Sequence, residues 1–169
     1  NPEMSAERLN DIRLNVAERI WKQEYEAQVI DNDAMVFTNV QDCATATWQH
    51  RGIEDRLYIG GVDFGRSHDY TVVSIVDAEL NQLVYFDRFT GISFEEQLRR
   101  IHKINKAFTP RVLVAETNSF GAPMVERMAN EGIPVKPFTT TNATKREIIE
   151  RLSMAFEQQD IAIPNDDIL

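Results

Sequence analysis

Two acidic residues stand where apolar runs stop: Asp63 inside the end of "LYIGGVDF" and Glu116 at the end of "RVLVAE". A charge directly after "VLVA" is costly unless it is paired, and a hairpin turn needs no aspartate within an otherwise apolar strand. If the two strands are neighbours, the carboxylates converge. Two unit charges about 4 Å apart repel by roughly 4 kcal/mol at an effective dielectric of 20, so a positive group belongs between them. A hard divalent cation, Mg²⁺ or Mn²⁺, suits oxygen ligands at about 2.1 Å and keeps waters that exchange for phosphate oxygens. Two such ions about 4 Å apart would activate a water and steady the leaving oxygen of a phosphodiester. Each acid also has a plain reading on its own, Asp63 as a turn residue before Gly65 and Glu116 as an exposed strand end.

Further candidates surround these two. Asp69 follows Asp63 across the "GRSHD" turn and can fold back as an auxiliary metal ligand, or satisfy turn amides instead. His68 in the same turn can approach a phosphate or the attacking water, or simply face solvent. Asn118, Ser119 and Gly121 follow Glu116 at a helix start, where free amides bind an oxyanion or are capped. Lys145 and Arg146 open a later helix beside "TTTNAT" and can meet a nucleic-acid backbone, with a solvated helix start as the alternative. His50 and His102 read as structural or solvated, and Cys43, the single cysteine, as a packing thiol.

The elements that must position these groups follow from periodicity. Residues 5–30 carry Leu9, Ile12, Val16 and Ile20 at helical spacing behind Ser5, and residues 31–56 read as an irregular arm, with Trp21 and Trp48 as packing anchors. From Leu57, "LYIGGVDF", "YTVVSIVD" and "QLVYFDRF" are strands joined by short turns, hence antiparallel neighbours. Ser93 and Glu96 form a capping box before a helix with Phe94, Leu98, Ile101, Ile104 and Phe108 inward, ending before Pro110. "RVLVAE" is a strand, "APMVERMANEG" a helix with Pro123 in its first turn and Gly132 past its end, and "IPVKPF" a strand. Thr144 and Glu147 repeat the capping-box spacing before a helix carrying Ile148, Leu152, Ala155 and Phe156, and "IAI" reads as a last short strand. The fold class is therefore α/β: three antiparallel strands, then alternating helices and parallel strands in a mixed sheet buried beneath flanking helices.

The formal charge of -9 excludes a protein that coats nucleic acid through its overall field, which requires cations over phosphates. An acidic centre that holds cations is compatible with it. No apolar run approaches the ~20 residues that span a membrane. A start on Asn1 and an end on "DDIL" make a piece of a longer protein the expectation.

Together, "GVDFGRSHDYTVVSIVD", "VLVAETNSFGAPMVERM" and "GIPVKPFTTTNATKREIIERLSMAFEQQDIAIP" resemble the nuclease domain of the bacteriophage terminase large subunit, an RNase H-like fold. The resemblance covers residues 57–169, and "IWKQEYEAQVIDNDAMVF" is similar to the segment joining the family's packaging ATPase to the nuclease, so residues 1–56 would be an N-terminal helix and linker arm. It implies a metal-dependent endonuclease that cuts concatemeric double-stranded DNA during packaging. Asp63 and Glu116 would be the first and second acidic ligands of Mg²⁺ or Mn²⁺, and Asp69 an accessory acid. The family's third acid would lie past the end of this chain, since Asp166 and Asp167 come too early. Implied partners are the ATPase domain of the same parent chain, the portal and the small terminase subunit, in the host cytoplasm. No G-x-x-x-x-G-K-[ST] loop is present. Competing readings are a Holliday-junction resolvase or transposase-like nuclease, an actin-like ATPase, or a non-catalytic motor-docking fragment.

Overall fold

The computed structural model describes residues 36–65, 69–118 and 121–167. The helix expected over residues 5–30 and Trp21 lie outside them, as do His68 and Ser119. The chain divides into two compact units.

The larger unit spans residues 44–141 and continues from Ile161. Its strands are β1 (Tyr58–Asp63), β2 (Thr71–Asp77), β3 (Gln82–Phe89), β4 (Leu113–Glu116) and β5 (Val135–Phe138). They form one sheet of order β3-β2-β1-β4-β5. β1, β2 and β3 are antiparallel neighbours, whereas β4 runs parallel to β1 and β5 parallel to β4. This is the mixed sheet expected from the short early turns and the later helical crossovers.

Helix α1 (Phe94–Phe108) links β3 to β4, and α2 (Gly121–Asn130) links β4 to β5. At the start of α1 the Ser93 hydroxyl accepts from the Glu96 amide at 3.3 Å, while the Glu96 carboxylate pairs with Arg99. Thr109 closes α1 in the left-handed region, φ 45°, just before Pro110. α2 ends in a Schellman arrangement: Gly132 (φ 80°) donates to the Ala129 carbonyl at 3.0 Å and Ile133 to that of Met128 at 2.9 Å. Met128 and Ile133 are both buried, supplying the apolar contact that accompanies this cap.

One sheet face makes the core. Tyr58, Val62, Val73, Ile75, Leu113 and Ala115 meet Leu98, Ile101, Ile104 and Phe108 of α1 and Met124, Val125 and Met128 of α2. The expectation of central strands buried on both faces holds for this face only. On the other, Val72, Ser74 and Val76 are half-buried and Ile59 is exposed.

A buried polar relay ties the turn after β1 to α1. The Thr71 hydroxyl accepts from the Gly65 amide at 3.0 Å and donates to Gln97 Oε1 at 3.0 Å, with Thr71 only 1% exposed. Thr71→Val keeps the shape but leaves the Gly65 amide and the Gln97 carbonyl without this partner. The variant is expected to lose about 1–2 kcal/mol, read as a lower urea midpoint at unchanged slope.

The smaller unit groups residues 36–43 with Asn142–Asp160, including α3 (Asn142–Glu157). The Phe37 ring meets Phe156 edge-on at 5.7 Å, the Ser153 hydroxyl donates to the Val36 carbonyl at 2.9 Å, and buried Cys43 sits against the Phe156 carbonyl at 3.7 Å. Three expectations are corrected here. α3 starts at Asn142, so Thr144 lies inside it rather than at its cap; Thr141, directly before the helix, is a residue of favoured cap type three positions earlier than the chosen signature. Ile148, read as inward-facing, is 48% exposed, and on α1 of the larger unit Phe94, expected in the inward stripe, is 53% exposed at the first position of the helix. In the larger unit the "IAI" strand reduces to isolated bridges, Ala162 to Gln82 and Pro164 to Ala46.

Candidate metal centre

The chain runs β1, β2 and β3 to one side of the sheet and then returns to lay β4 against the other side of β1. The carboxyl ends of β1 and β4 therefore flank the point where the strand order reverses, the usual place for a ligand site in an open α/β sheet. The parallel register pairs Gly61 with Val114 and Val62 with Ala115. One residue further on, Asp63 and Glu116 emerge side by side from adjacent strands, whose spacing is about 4.8 Å.

The electrostatics follow from that placement. Burial against the strand ends pushes the Asp63 carboxyl above the ordinary carboxylate range, although the residue as a whole is exposed. A shared hydrogen bond with Glu116 and the charges of Glu116 and Asp69 act in the same direction. Two acids so placed repel each other unless something positive lies between them. The structure brings Asp63 and Glu116 together and lays the field of Asp69 on the pair. Among the described residues no three His, Cys, Asp or Glu side chains gather closely enough to enclose a metal.

Asn118 has a role that the sequence did not single out. Its amide donates to Glu116 Oε1 at 2.9 Å and to the Thr140 carbonyl at 2.9 Å, so the side chain is engaged in holding Glu116. Thr117 anchors the same segment: its amide donates to the Phe138 carbonyl at 2.8 Å, and its hydroxyl to that carbonyl at 3.1 Å. The "ETN" segment is thereby stitched to the exit of β5. A side-chain amide two residues past a strand-end acid was the available signal.

Lys145 and Arg146 are exposed on α3, in the smaller unit. His50 is exposed, and His102 pairs with Glu131 at 2.5 Å, linking α1 to the end of α2.

A mixed five-stranded sheet with two acids at the ends of adjacent parallel strands defines an RNase H-like fold. Residues 60–168 match the family described as the terminase RNaseH-like domain, and the chain belongs to that family. Over 163 residues it is 26% identical to the large terminase subunit of Thermus virus P23-45, covering 91% of this chain and 34% of that protein. The chain thus spans about a third of that relative's length. Among solved structures it is similar to the large terminase nuclease of thermophilic phage G20c with bound magnesium, at TM-score 0.70 and 25% identity over 79% of this chain and 75% of the other. It is likewise similar to that nuclease with bound zinc, at TM-score 0.69 and 25% identity over 79% and 82%.

Proposed function

We propose that this chain is the metal-dependent endonuclease domain of a terminase large subunit, cutting concatemeric double-stranded DNA during genome packaging. The observation that carries the reading is the carboxylate pair at the adjacent ends of β1 and β4, where burial and then Glu116 and Asp69 push the Asp63 carboxyl upward. Its donors are hard oxygens on rigid strands, a set that fits Mg²⁺ or Mn²⁺. Asp63 and Glu116 would hold the metal, with Asp69 as an accessory acid. When bound, a pair of such ions supplies a polarised water and neutralises the charge developing on the leaving oxygen.

The protein's own contribution is positional. β1 and β4 fix both carboxylates by their shared register, Asn118 sets the rotamer of Glu116, and the Gly65–Thr71–Gln97 relay holds the turn that carries Asp69. Lys145, Arg146 and His68 are candidate contacts to the DNA backbone. The ATPase domain of the same parent chain, the portal and the small terminase subunit are the proposed partners, and the host cytoplasm the proposed setting. Residues 1–56 would form the arm towards the ATPase, and residues 57–169 the nuclease domain. Among the described residues no helix is long and apolar enough to cross a membrane.

Metal-dependent nicking of supercoiled plasmid, compared between the parent and an Asp63 variant, tests the reading. A second consequence concerns Asn118. Asn118→Ala frees Glu116 without removing a donor to the metal and is expected to weaken Mn²⁺ binding about tenfold, the lower end of the cost of losing an outer-shell partner. Calorimetric titration with Mn²⁺ alone measures it, with the far-ultraviolet spectrum unchanged.

A further inference from the structure

Arg88 stands in the same row of the sheet as the two acids. β2 pairs Val72 with Asp63 of β1 on one side and with Arg88 of β3 on the other. Residues directly opposite each other in antiparallel strands share a face, so Glu116, Asp63, Val72 and Arg88 run across the half-covered face in that order. With about 4.8 Å per strand step, the Arg88 backbone lies roughly 10 Å from that of Asp63.

Among the described residues an aromatic ring, and no acid, holds the guanidinium. It lies over the Tyr70 ring at 3.6 Å from the centroid, and Tyr70 is itself 46% exposed. Arg56, Arg99, Arg100, Arg127 and Arg151 each pair with a carboxylate. Among the described residues Arg88, like Arg51, Arg111 and Arg146, pairs with no carboxylate, and its place in the row of Asp63 and Val72 sets it apart from those three. The ring holds the guanidinium while Arg88 itself stays exposed, an arrangement that suits a bidentate grip on a tetrahedral anion.

We propose that Arg88, pre-oriented on Tyr70, binds a backbone phosphate of the DNA strand lying across the sheet, near the phosphate held at Asp63 and Glu116. Phosphate is the ligand rather than a base edge, because a single cation on a sheet row has no partner groups around it to distinguish one base from another. The placement rests on the nuclease reading, since it takes the acid pair as the position of the cut.

Anisotropy of a labelled duplex titrated with the full chain in EDTA, at several salt concentrations, tests the contact without any cleavage. Arg88→Ala is expected to weaken binding five- to tenfold and to lower the slope of log affinity against log salt by about 0.9, the share of one phosphate. Arg88→Lys should keep the slope while losing part of the affinity, and Tyr70→Leu should lose affinity with the slope intact. Equal affinity and slope in Arg88→Ala would overturn the proposal, as would a parent chain with no salt-dependent binding at low salt. The nuclease reading fails on a separate measurement: a chain that never nicks plasmid, yet loses one phosphate contact with Arg88, keeps this inference and discards that one.

Discussion

Asp63→Asn is expected to abolish Mn²⁺-dependent nicking of supercoiled plasmid, by more than about 100-fold, the upper end of what the loss of an outer-shell partner alone costs. Glu116→Gln should do the same. The metal-free protein should respond in the opposite sense. Asp63 keeps its proton to higher pH in the folded chain than in the unfolded one, because of burial first and of Glu116 and Asp69 next. Just above the ordinary aspartate range the folded state therefore binds more protons than the unfolded state, and stability falls as pH rises through the raised value. Asparagine bears no charge at any pH, so in EDTA the variant should melt higher than the parent at neutral pH and show a flatter dependence on pH. Adding Mn²⁺ should reverse the order, since a ligand that binds only the folded parent stabilises it alone. Scanning calorimetry at several pH values, with and without Mn²⁺, separates the two effects. An Asp63→Asn protein that still nicks plasmid at the parent rate sinks the assignment.

How much of this could be read beforehand depended on whether a local signal faced a long-range choice. The three early strands, α1 with its Ser93 cap and α2 with its Gly132 stop were legible, because short-range periodicity and cap chemistry decide them. Asp63 and Glu116 stood out because each breaks an apolar run. Asp77 shows why the pattern alone was insufficient. It too closes an apolar strand, yet it is fully buried, where it accepts from Arg56 at 3.2 Å and from the amides of Glu79 and Leu80 at 3.1 and 3.2 Å. A strand-end aspartate becomes a metal candidate only when its neighbour is another acid, and that neighbour is chosen by strand order. Arg88 was passed over for the same reason: its place beside Asp63 exists only through two inter-strand registers. The start of α3 was misread because several threonines offered equivalent caps and nothing local ranks them.

Gly121→Ala is the other large expected effect, and it links the fold to the site. A β-carbon on Gly121 would stand 2.0 Å from the carbonyl oxygen of Glu116 and 3.0 Å from its carbonyl carbon. Both obstacles are backbone and cannot rotate away, so the start of α2 or the end of β4 must shift. Alanine ordinarily favours a helix by about 1 kcal/mol over glycine, but forcing an added carbon into a closed contact costs up to about 3 kcal/mol. The steric term wins, and the expected result is a clear fall in the urea midpoint. Because the obstructing group is the main chain of Glu116, that acid moves with it, and Mn²⁺ binding should weaken in the fraction that remains folded. Gly132→Ala is the matched control. Nothing lies within 4 Å of its β-carbon, so its cost comes only from φ +80° and should be about 1–2 kcal/mol, with Mn²⁺ affinity unchanged. If Gly121→Ala behaves like Gly132→Ala in both measurements, α2 does not rest on the Glu116 carbonyl, and the close approach that fixes this acid beside Asp63 is absent.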